Sequence, residues 1–340
     1  MRMRRRAGRR TNLAILAVLS LALLTGFLAY AIGAAWGWWV AAAHGVVGLG
    51  LVILTPWKSV IVRRGMTRRR PGVSAAVLLT VLVALVVLTG VLHATGVGVS
   101  LGPVTSLQLH VGAALASIPL ALWHVVARPV RPRPTDLSRR NLLRAGAVLG
   151  GAAVGYAAVE GLVRVASLPG AERRFTGSYE IGSLQPDALP VTQWFDDSVQ
   201  AIEEEGWRLE VVTASGTREL TYEELSSFDD RVRAVLDCTG GWYSEQDWEG
   251  VRLDRLIRGS GEARSVLVRS ATGYSRRLPI RDLPNLLLAV RLGGRPLLAG
   301  HGFPARLVAP GRRGFWWVKW VTRIEASASP WWLQSPFPLT

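Results

Sequence analysis

Leu236-Asp237-Cys238-Thr239-Gly240-Gly241-Trp242 holds the one cysteine in a chain of 340 residues. A solitary cysteine cannot close an internal disulfide. It is either inert packing or a reactive or metal-ligating thiol. Residues 232–236 form a short apolar run that reads as a strand delivering the cysteine to a turn. Gly240 and Gly241 permit that turn to be tight and let a bulky group approach the backbone.

Downstream the chain carries further ordered signals. Trp248-Glu249-Gly250-Val251-Arg252-Leu253 comes first, then Gly273-Tyr274-Ser275. His301-Gly302-Phe303-Pro304-Ala305-Arg306 follows, leading to Pro310-Gly311, and Val318-Lys319-Trp320-Val321 closes the series. Together with Cys238 these resemble the molybdopterin-binding domain of the sulfite oxidase superfamily, in particular the methionine sulfoxide reductase catalytic subunit type. The resemblance runs from near Tyr179 to near Pro330.

The resemblance implies molybdenum–molybdopterin as cofactor and Cys238 as catalytic thiolate and molybdenum ligand. A soft thiolate suits such a metal. His301 and Arg306 fall on the His-Gly-x-Pro-x-Arg pattern and Lys319 on the Val-Lys-Trp pattern, which implies cofactor binding. Arginine offers a planar fork for phosphate and pterin edges. Gly302, Gly311 and Gly314 are expected to let backbone N–H groups near the cofactor. The sequence also departs from sulfite oxidases, which follow the cysteine with Ala-Gly-Asn and oxyanion-binding arginines. Thr239-Gly240-Gly241-Trp242-Tyr243 stands here instead, which argues against sulfite as substrate. Tyr243, Trp248, Arg276 and Arg277 are further candidates for the pocket wall.

The rest of the chain has a different character. Met1 to Arg144 carries 18 Lys and Arg against one acid, Asp136, whereas 22 bases and 23 acids follow from Ala145 on. The formal net charge of +16 thus belongs to the first part. Long uncharged apolar runs separate its basic clusters, which excludes a nucleic-acid partner and points to membrane lipid. Each helical span needs roughly 20 apolar residues. Four are expected, at residues 13–34, 38–55, 74–95 and 106–126, with Trp36, Trp38 and Trp39 as interfacial aromatics. The basic clusters precede span one, separate spans two and three, and follow span four. By the positive-inside rule all three face the cytoplasm.

Ser138-Arg139-Arg140-Asn141-Leu142-Leu143-Arg144 then precedes a mildly apolar Gly/Ala-rich run at residues 145–159. It resembles an internal twin-arginine translocation signal; the plainer reading is a fifth span. Either delivers the following domain to the outside. Twin-arginine export carries folded proteins with cofactors already inserted, consistent with the molybdopterin motifs.

The exported part reads as mixed α and β. A helix is expected at residues 196–205, followed by a strand at 207–212, and a helix N-cap at Thr221 with Glu224 as its capping-box partner. Strands are expected at 231–236, 265–270, 286–292, 305–309 and 318–326, and a short helix at 253–258.

Four of the five histidines, His44, His93, His110 and His124, lie in the apolar half. Intramembrane ligating residues are functional candidates, and histidine is the usual axial ligand of b-type haem. His44, His93 and His110 fall toward the outer face. His124 falls inward, about 21 Å along the helix from His110. One haem b near the outer face is expected, held by His44 and His110, with His93 as a substitute. The alternative is that these histidines simply bond between helices.

The expectation is therefore a multidomain chain: an all-α transmembrane bundle followed by an α+β sulfite oxidase-type domain. Residues 1–130 form the bundle, 131–170 the basic linker and twin-arginine-like fifth span, and 171–340 the molybdopterin-binding domain. Its expected function is oxygen-atom transfer on a small-molecule substrate outside the cytoplasmic membrane, with electrons exchanged through the bundle with the quinone pool or another redox partner. The alternatives are a non-catalytic protein with a degenerate binding module, or an enzyme whose bundle is only an anchor.

Overall fold

The computed structural model describes residues 8–67, 72–98, 104–194, 197–257 and 261–338. Most of the basic leader, the arginine run at 68–70, part of the Gly-rich loop at 96–105 and the start of the helix expected at 196 lie outside the described residues.

The chain divides into two compact units. One is Met1–Tyr30 with Ala35–Gly177, and the other is Ser178–Thr340 with Ala31–Ala34.

The first unit is helical: α1 (Arg9–Ala31), α2 (Trp38–Thr67), α3 (Val73–Thr95), α4 (Ser106–Ala127) and α5 (Arg139–Val165). All five are long and apolar enough to cross a membrane. Their outward apolar side chains, such as Leu24, Leu88 and Leu122, are exposed, the pattern that membrane-crossing helices show. The ends follow local chemistry. Gly72 and Gly96 bracket α3 in the left-handed region. Thr105 and Gln108 form a capping box that starts α4.

Two boundaries differ from expectation. α2 runs on through Pro56 to Thr67, so the basic segment begins as helix rather than loop. A single proline in a long apolar helix is tolerated where neighbours and local adjustment meet the freed backbone group. The residues around Arg139 and Arg140 continue into one helix of 27 residues, the least apolar of the five. Within the unit α3 lies along α4 and α2 along α5.

The second unit holds two sheets. Its strands are β1 (Tyr179–Glu180), β2 (Leu209–Thr213), β3 (Gly216–Leu220), β4 (Asp230–Asp237), β5 (Trp242–Arg252), β6 (Ser265–Ser270), β7 (Ser275–Pro279), β8 (Leu287–Leu292), β9 (Arg295–Pro296), β10 (Arg306–Val308) and β11 (Val321–Ser327). The first sheet runs β1-β5-β8-β10, with β4 also on β5 and β9 on β8; the second runs β3-β2-β11-β6-β7. Two short helices, α6 (Tyr222–Ser226) and α7 (Leu253–Leu256), complete it. Thr221 and Glu224 form the expected capping box on α6.

The long β5 alternates buried and half-buried residues, so Trp242, Ser244, Gln246 and Trp248 all face inward. The core gathers around Leu209, Val268, Leu287, Leu288, Leu307 and Ile324, all fully buried.

The helix expected at 196–205 is not formed. Residues 197–203 are irregular and a turn follows at 204–206. The stretch is acidic but has too few apolar residues to bury a helical face, and Trp207 instead enters the sheet core beside β2.

Candidate functional site

Cys238 stands at the end of β4, where the chain turns into β5. The Cys238 N–H donates to the Trp242 carbonyl at 2.8 Å, and the Gly241 N–H to the Cys238 carbonyl at 3.2 Å. Gly241 has a φ of 94°, which a residue with a side chain rarely adopts. The Gly240 N–H points at Cys238 Sγ at 3.3 Å.

The turn is clamped from behind. Arg313 is fully buried and ion-paired with Asp237, and its Nη2 donates to the Cys238 carbonyl at 3.2 Å. Ser178 Oγ donates to Asp237 Oδ1 at 2.6 Å. A buried arginine persists only when paired and hydrogen-bonded, so this network fixes the backbone that carries the thiol. Gly314 completes the fit. A Cβ there would lie 3.3 Å from Cys238 Cα and 3.4 Å from the Asp237 carbonyl oxygen.

Cys238, Gly314, Arg306 and Lys319 line one cleft, together with Trp242 and Tyr274. Arg306 is buried on β10 and donates to the His301 carbonyl at 3.1 Å. Burial pushes its guanidinium down to about 10, against the opposing pull of Cys238. Lys319 Nζ donates to the carbonyls of Thr192 at 2.8 Å and Gly300 at 2.6 Å. Burial first, then Arg306, lowers its amine to about 7. Burial disfavours the charged form of this amine, and an anion bound in the cleft would favour it.

His301 is not among the residues lining this cleft. It lies behind it, with Nε2 facing the Leu189 carbonyl at 3.0 Å, and burial lowers its pKa. Gly302, at φ 108°, lets Lys319 and Arg306 close in, since a Cβ there would come within 3.1 Å of Lys319 Cβ and 3.2 Å of Arg306 Cβ. Gly311 has a φ of 75° and open space where a Cβ would stand.

The further pocket-wall candidates are elsewhere. Tyr243, Trp248, Arg276 and Arg277 are absent from the cleft lining. Trp248 is fully buried beneath the Arg306 guanidinium. Arg276 donates to the Ser335 and Pro336 carbonyls and lies 4.1 Å over the Trp316 ring. Arg313 and Asp237 were missed as site residues; the signal for them was an acid directly beside the cysteine and an arginine directly before Gly314.

The donor set suits a molybdopterin. The cleft offers one thiol, a buried guanidinium and an amine, and Arg306 Nε and Trp242 Nε1 have no hydrogen-bond partner among the described residues. An unmet buried donor costs about 1–3 kcal/mol, which a bound acceptor would recover.

Residues 196–333 match the family model of the oxidoreductase molybdopterin binding domain. Rat mitochondrial sulfite oxidase is 28% identical over 174 residues, covering 39% of this chain and 32% of that protein. A barley nitrate reductase [NAD(P)H] is 33% identical over 106 residues, covering 26% of this chain and 12% of that protein. A crystal structure of the sulfane dehydrogenase SoxCD from Paracoccus pantotrophus matches with a TM-score of 0.37 and 25% identity, over 38% of this chain and 40% of that one. The chain spans a third or less of the length of these curated relatives. Residues 196–333, within the second unit, thus match a molybdopterin-binding domain of the oxidoreductase class. More particularly, the similarity is to sulfite oxidases, and five apolar helices precede this part of the chain.

The helical unit has a site candidate of its own. The His44 and His110 rings lie 5.9 Å apart between centroids, with planes at 84°. His44 Nδ1 meets the Ala22 carbonyl at 3.1 Å, and His110 Nδ1 meets the Val86 carbonyl at 2.8 Å. Each ring also faces a glycine. A Cβ on Gly26 would lie 2.9 Å from His44 Cε1, and one on Gly90 3.0 Å from His110 Cε1. His93 is engaged differently, with Nδ1 3.4 Å from Ser106 Oγ. No group of three or more His, Cys, Asp or Glu suited to a metal ion occurs among the described residues.

Proposed function

We propose that the chain is a membrane-anchored, molybdenum-dependent oxidoreductase that transfers an oxygen atom to or from a small substrate outside the cytoplasmic membrane. The observation that carries this reading is the convergence of the chain's one thiol with Arg306 and Lys319 in a single cleft of a molybdopterin-type domain. When bound, the molybdenum–molybdopterin supplies a two-electron centre competent for oxygen-atom transfer. Cys238 is the thiolate ligand, a soft donor suited to such a metal. Arg306 and Lys319 hold the cofactor's anionic and polar edges by charge-assisted hydrogen bonds. His301 positions Arg306 through its carbonyl, and Arg313 with Asp237 keeps the thiolate from shifting. Gly302, Gly311 and Gly314 give the backbone close approach around the group. Metal and pterin analysis, with a turnover screen of S-oxides, N-oxides and sulfite, tests the assignment. A protein free of both metal and pterin would contradict it.

The positive-inside rule supports the proposed topology, with the basic clusters in the cytoplasm and the second unit outside. Arg139 and Arg140 are exposed at the start of α5, as recognition by an export machinery requires. Changing both to lysine is expected to leave the catalytic domain in the cytoplasm. Protease added to spheroplasts should then no longer cut that domain. Digestion as rapid as in wild type would show that α5 inserts without the arginine pair.

The helical unit is proposed to hold one haem b on His44 and His110, passing electrons between molybdenum and the quinone pool or another redox partner. The facing rings and their Nδ1–carbonyl contacts support this reading, because ligating histidines commonly donate the other ring N–H to a carbonyl. A reduced-minus-oxidised visible spectrum separates a haem protein from one whose bundle is only an anchor.

A further inference from the structure

Trp242 opens β5, four residues after Cys238, and the hydrogen bond from the Cys238 N–H to its carbonyl fixes the two residues in one turn. Its side chain is 7% exposed and lines the cleft, yet its Nε1 has no hydrogen-bond partner among the described residues. The empty position beside Gly240 shows which space that N–H borders. A Cβ built there would lie 3.5 Å from Cys238 Sγ and 3.7 Å from both Trp242 Cδ1 and Nε1. The thiol sulfur and the Cδ1–Nε1 edge of the indole therefore border the same small volume, kept open by the lack of a side chain at residue 240.

We infer that Trp242 Nε1–H is the donor that holds the reacting oxygen of the substrate beside Cys238, and that this oxygen belongs to a neutral group rather than an oxyanion. The inference rests on the reading of the cleft as a molybdenum site. An indole is a neutral donor with a single N–H and no acceptor. It can polarise an S–O or N–O oxygen but cannot neutralise a charge. The cations that line the cleft, Arg306 and Lys319, already donate to protein carbonyls and serve the cofactor in the proposed function. Two further donors lining the cleft are unpartnered among the described residues: Gln193 Nε2, which is neutral, and Arg306 Nε, which the proposed function gives to the cofactor. Tyr274 turns its hydroxyl away, donating to the Phe315 carbonyl. Asp197 adds a carboxylate to the lining, which opposes the entry of an anion. Trp194, Phe315 and Trp317 give the remaining wall an apolar, aromatic surface suited to an uncharged substrate.

The test uses the full-length, metal-loaded protein. Trp242→Phe keeps an aromatic six-membered ring and removes the N–H together with the five-membered ring. It should retain wild-type molybdenum and pterin content while kcat/KM for neutral S-oxides and N-oxides falls about 100-fold, the scale of losing one donor to a reacting oxygen. β-(3-benzothienyl)alanine incorporated at position 242 keeps the bicyclic packing and lacks only the N–H, and should show the same loss. Dimethyl sulfoxide binding, read from the visible spectrum of the oxidised protein, should weaken in parallel. Gly240→Ala adds a methyl group at ordinary contact distance from its protein neighbours, so the fold tolerates it. It should also retain molybdenum while losing turnover, because the methyl occupies the shared volume. Sulfite and nitrate should be poorer substrates than the neutral oxides in wild type.

Wild-type kinetics in Trp242→Phe would overturn the inference, as would preferred turnover of sulfite. Loss of molybdenum in Trp242→Phe would assign the N–H to the cofactor instead and overturn it equally. A wild-type protein that binds no molybdenum marks failure of the underlying assignment, and is distinguished by metal analysis alone.

Discussion

Cys238→Ser is expected to abolish turnover, by about 1000-fold or more, while the domain still folds; losses of this order follow removal of a group bonded at the reacting centre. The reason is chemical. A serine hydroxyl is a harder donor, and it does not ionise near neutral pH as a thiol can, so it offers a poor replacement for a soft thiolate. The fold has little stake in the sulfur. The turn is held by the Cys238 N–H to the Trp242 carbonyl at 2.8 Å and by Arg313 on the Cys238 carbonyl at 3.2 Å, and both bonds use backbone atoms. The Gly240 N–H, now 3.3 Å from Sγ, can donate to an oxygen as well. Thermal unfolding should shift by about 1 kcal/mol or less, the range of substitutions that disturb neither core nor network. Full activity in a molybdenum-loaded Ser variant would remove Cys238 from the site.

The second large effect concerns the helical unit. His44→Ala or His110→Ala should each eliminate a bis-histidine haem spectrum, because one remaining imidazole rarely keeps the iron low-spin. His44 and His110 are the residues that would hold the iron, because their rings face each other at 5.9 Å and each places Nδ1 on a backbone carbonyl. Molybdenum content should be unchanged, since Cys238, Arg306 and Lys319 belong to the other unit. Activity with an artificial electron donor should persist while quinol-linked activity disappears. A complete low-spin spectrum in both variants would show that other residues ligate the haem. Retained haem in His93→Ala is expected, because His93 is held toward Ser106.

Much of this architecture is legible in the sequence because the signals are one-dimensional. Apolar runs of span length between basic clusters give four of the five helices, three of them to within a few residues at both ends. The fifth is ambiguous because its glycine-rich run is barely apolar enough to span, and the same residues also fit an export signal. The extension of α2 through Pro56 to Thr67 was hidden because apolar length marks a crossing and says nothing of how far the helix continues into the basic segment. In the second unit, Thr221 and Glu224 announced α6 by their spacing, and the residues before Cys238 announced β4. The irregular stretch at 197–203 misled because local acidity resembles a helix start while nothing provides a face to bury.

The site divides in the same way. Cys238, Arg306 and Lys319 were found through motifs, and they meet in one cleft. The clamp of Arg313 on Asp237 and Ser178 joins residues distant in the chain, so no local pattern reveals it. The unpartnered Trp242 N–H is visible only once burial is known, because a tryptophan in a strand reads first as core. Arg276, a pocket-wall candidate, instead has its charge met by the Ser335 and Pro336 carbonyls and by the Trp316 ring.

The most direct test of the central claim is metal and pterin analysis of the full-length protein, purified from a host that makes molybdopterin and supplied with molybdate. Stoichiometric molybdenum with the fluorescent oxidation product of the pterin, both sharply reduced in an Arg306→Ala, Lys319→Ala double variant, is the predicted result. A folded wild-type protein with neither molybdenum nor pterin would contradict it.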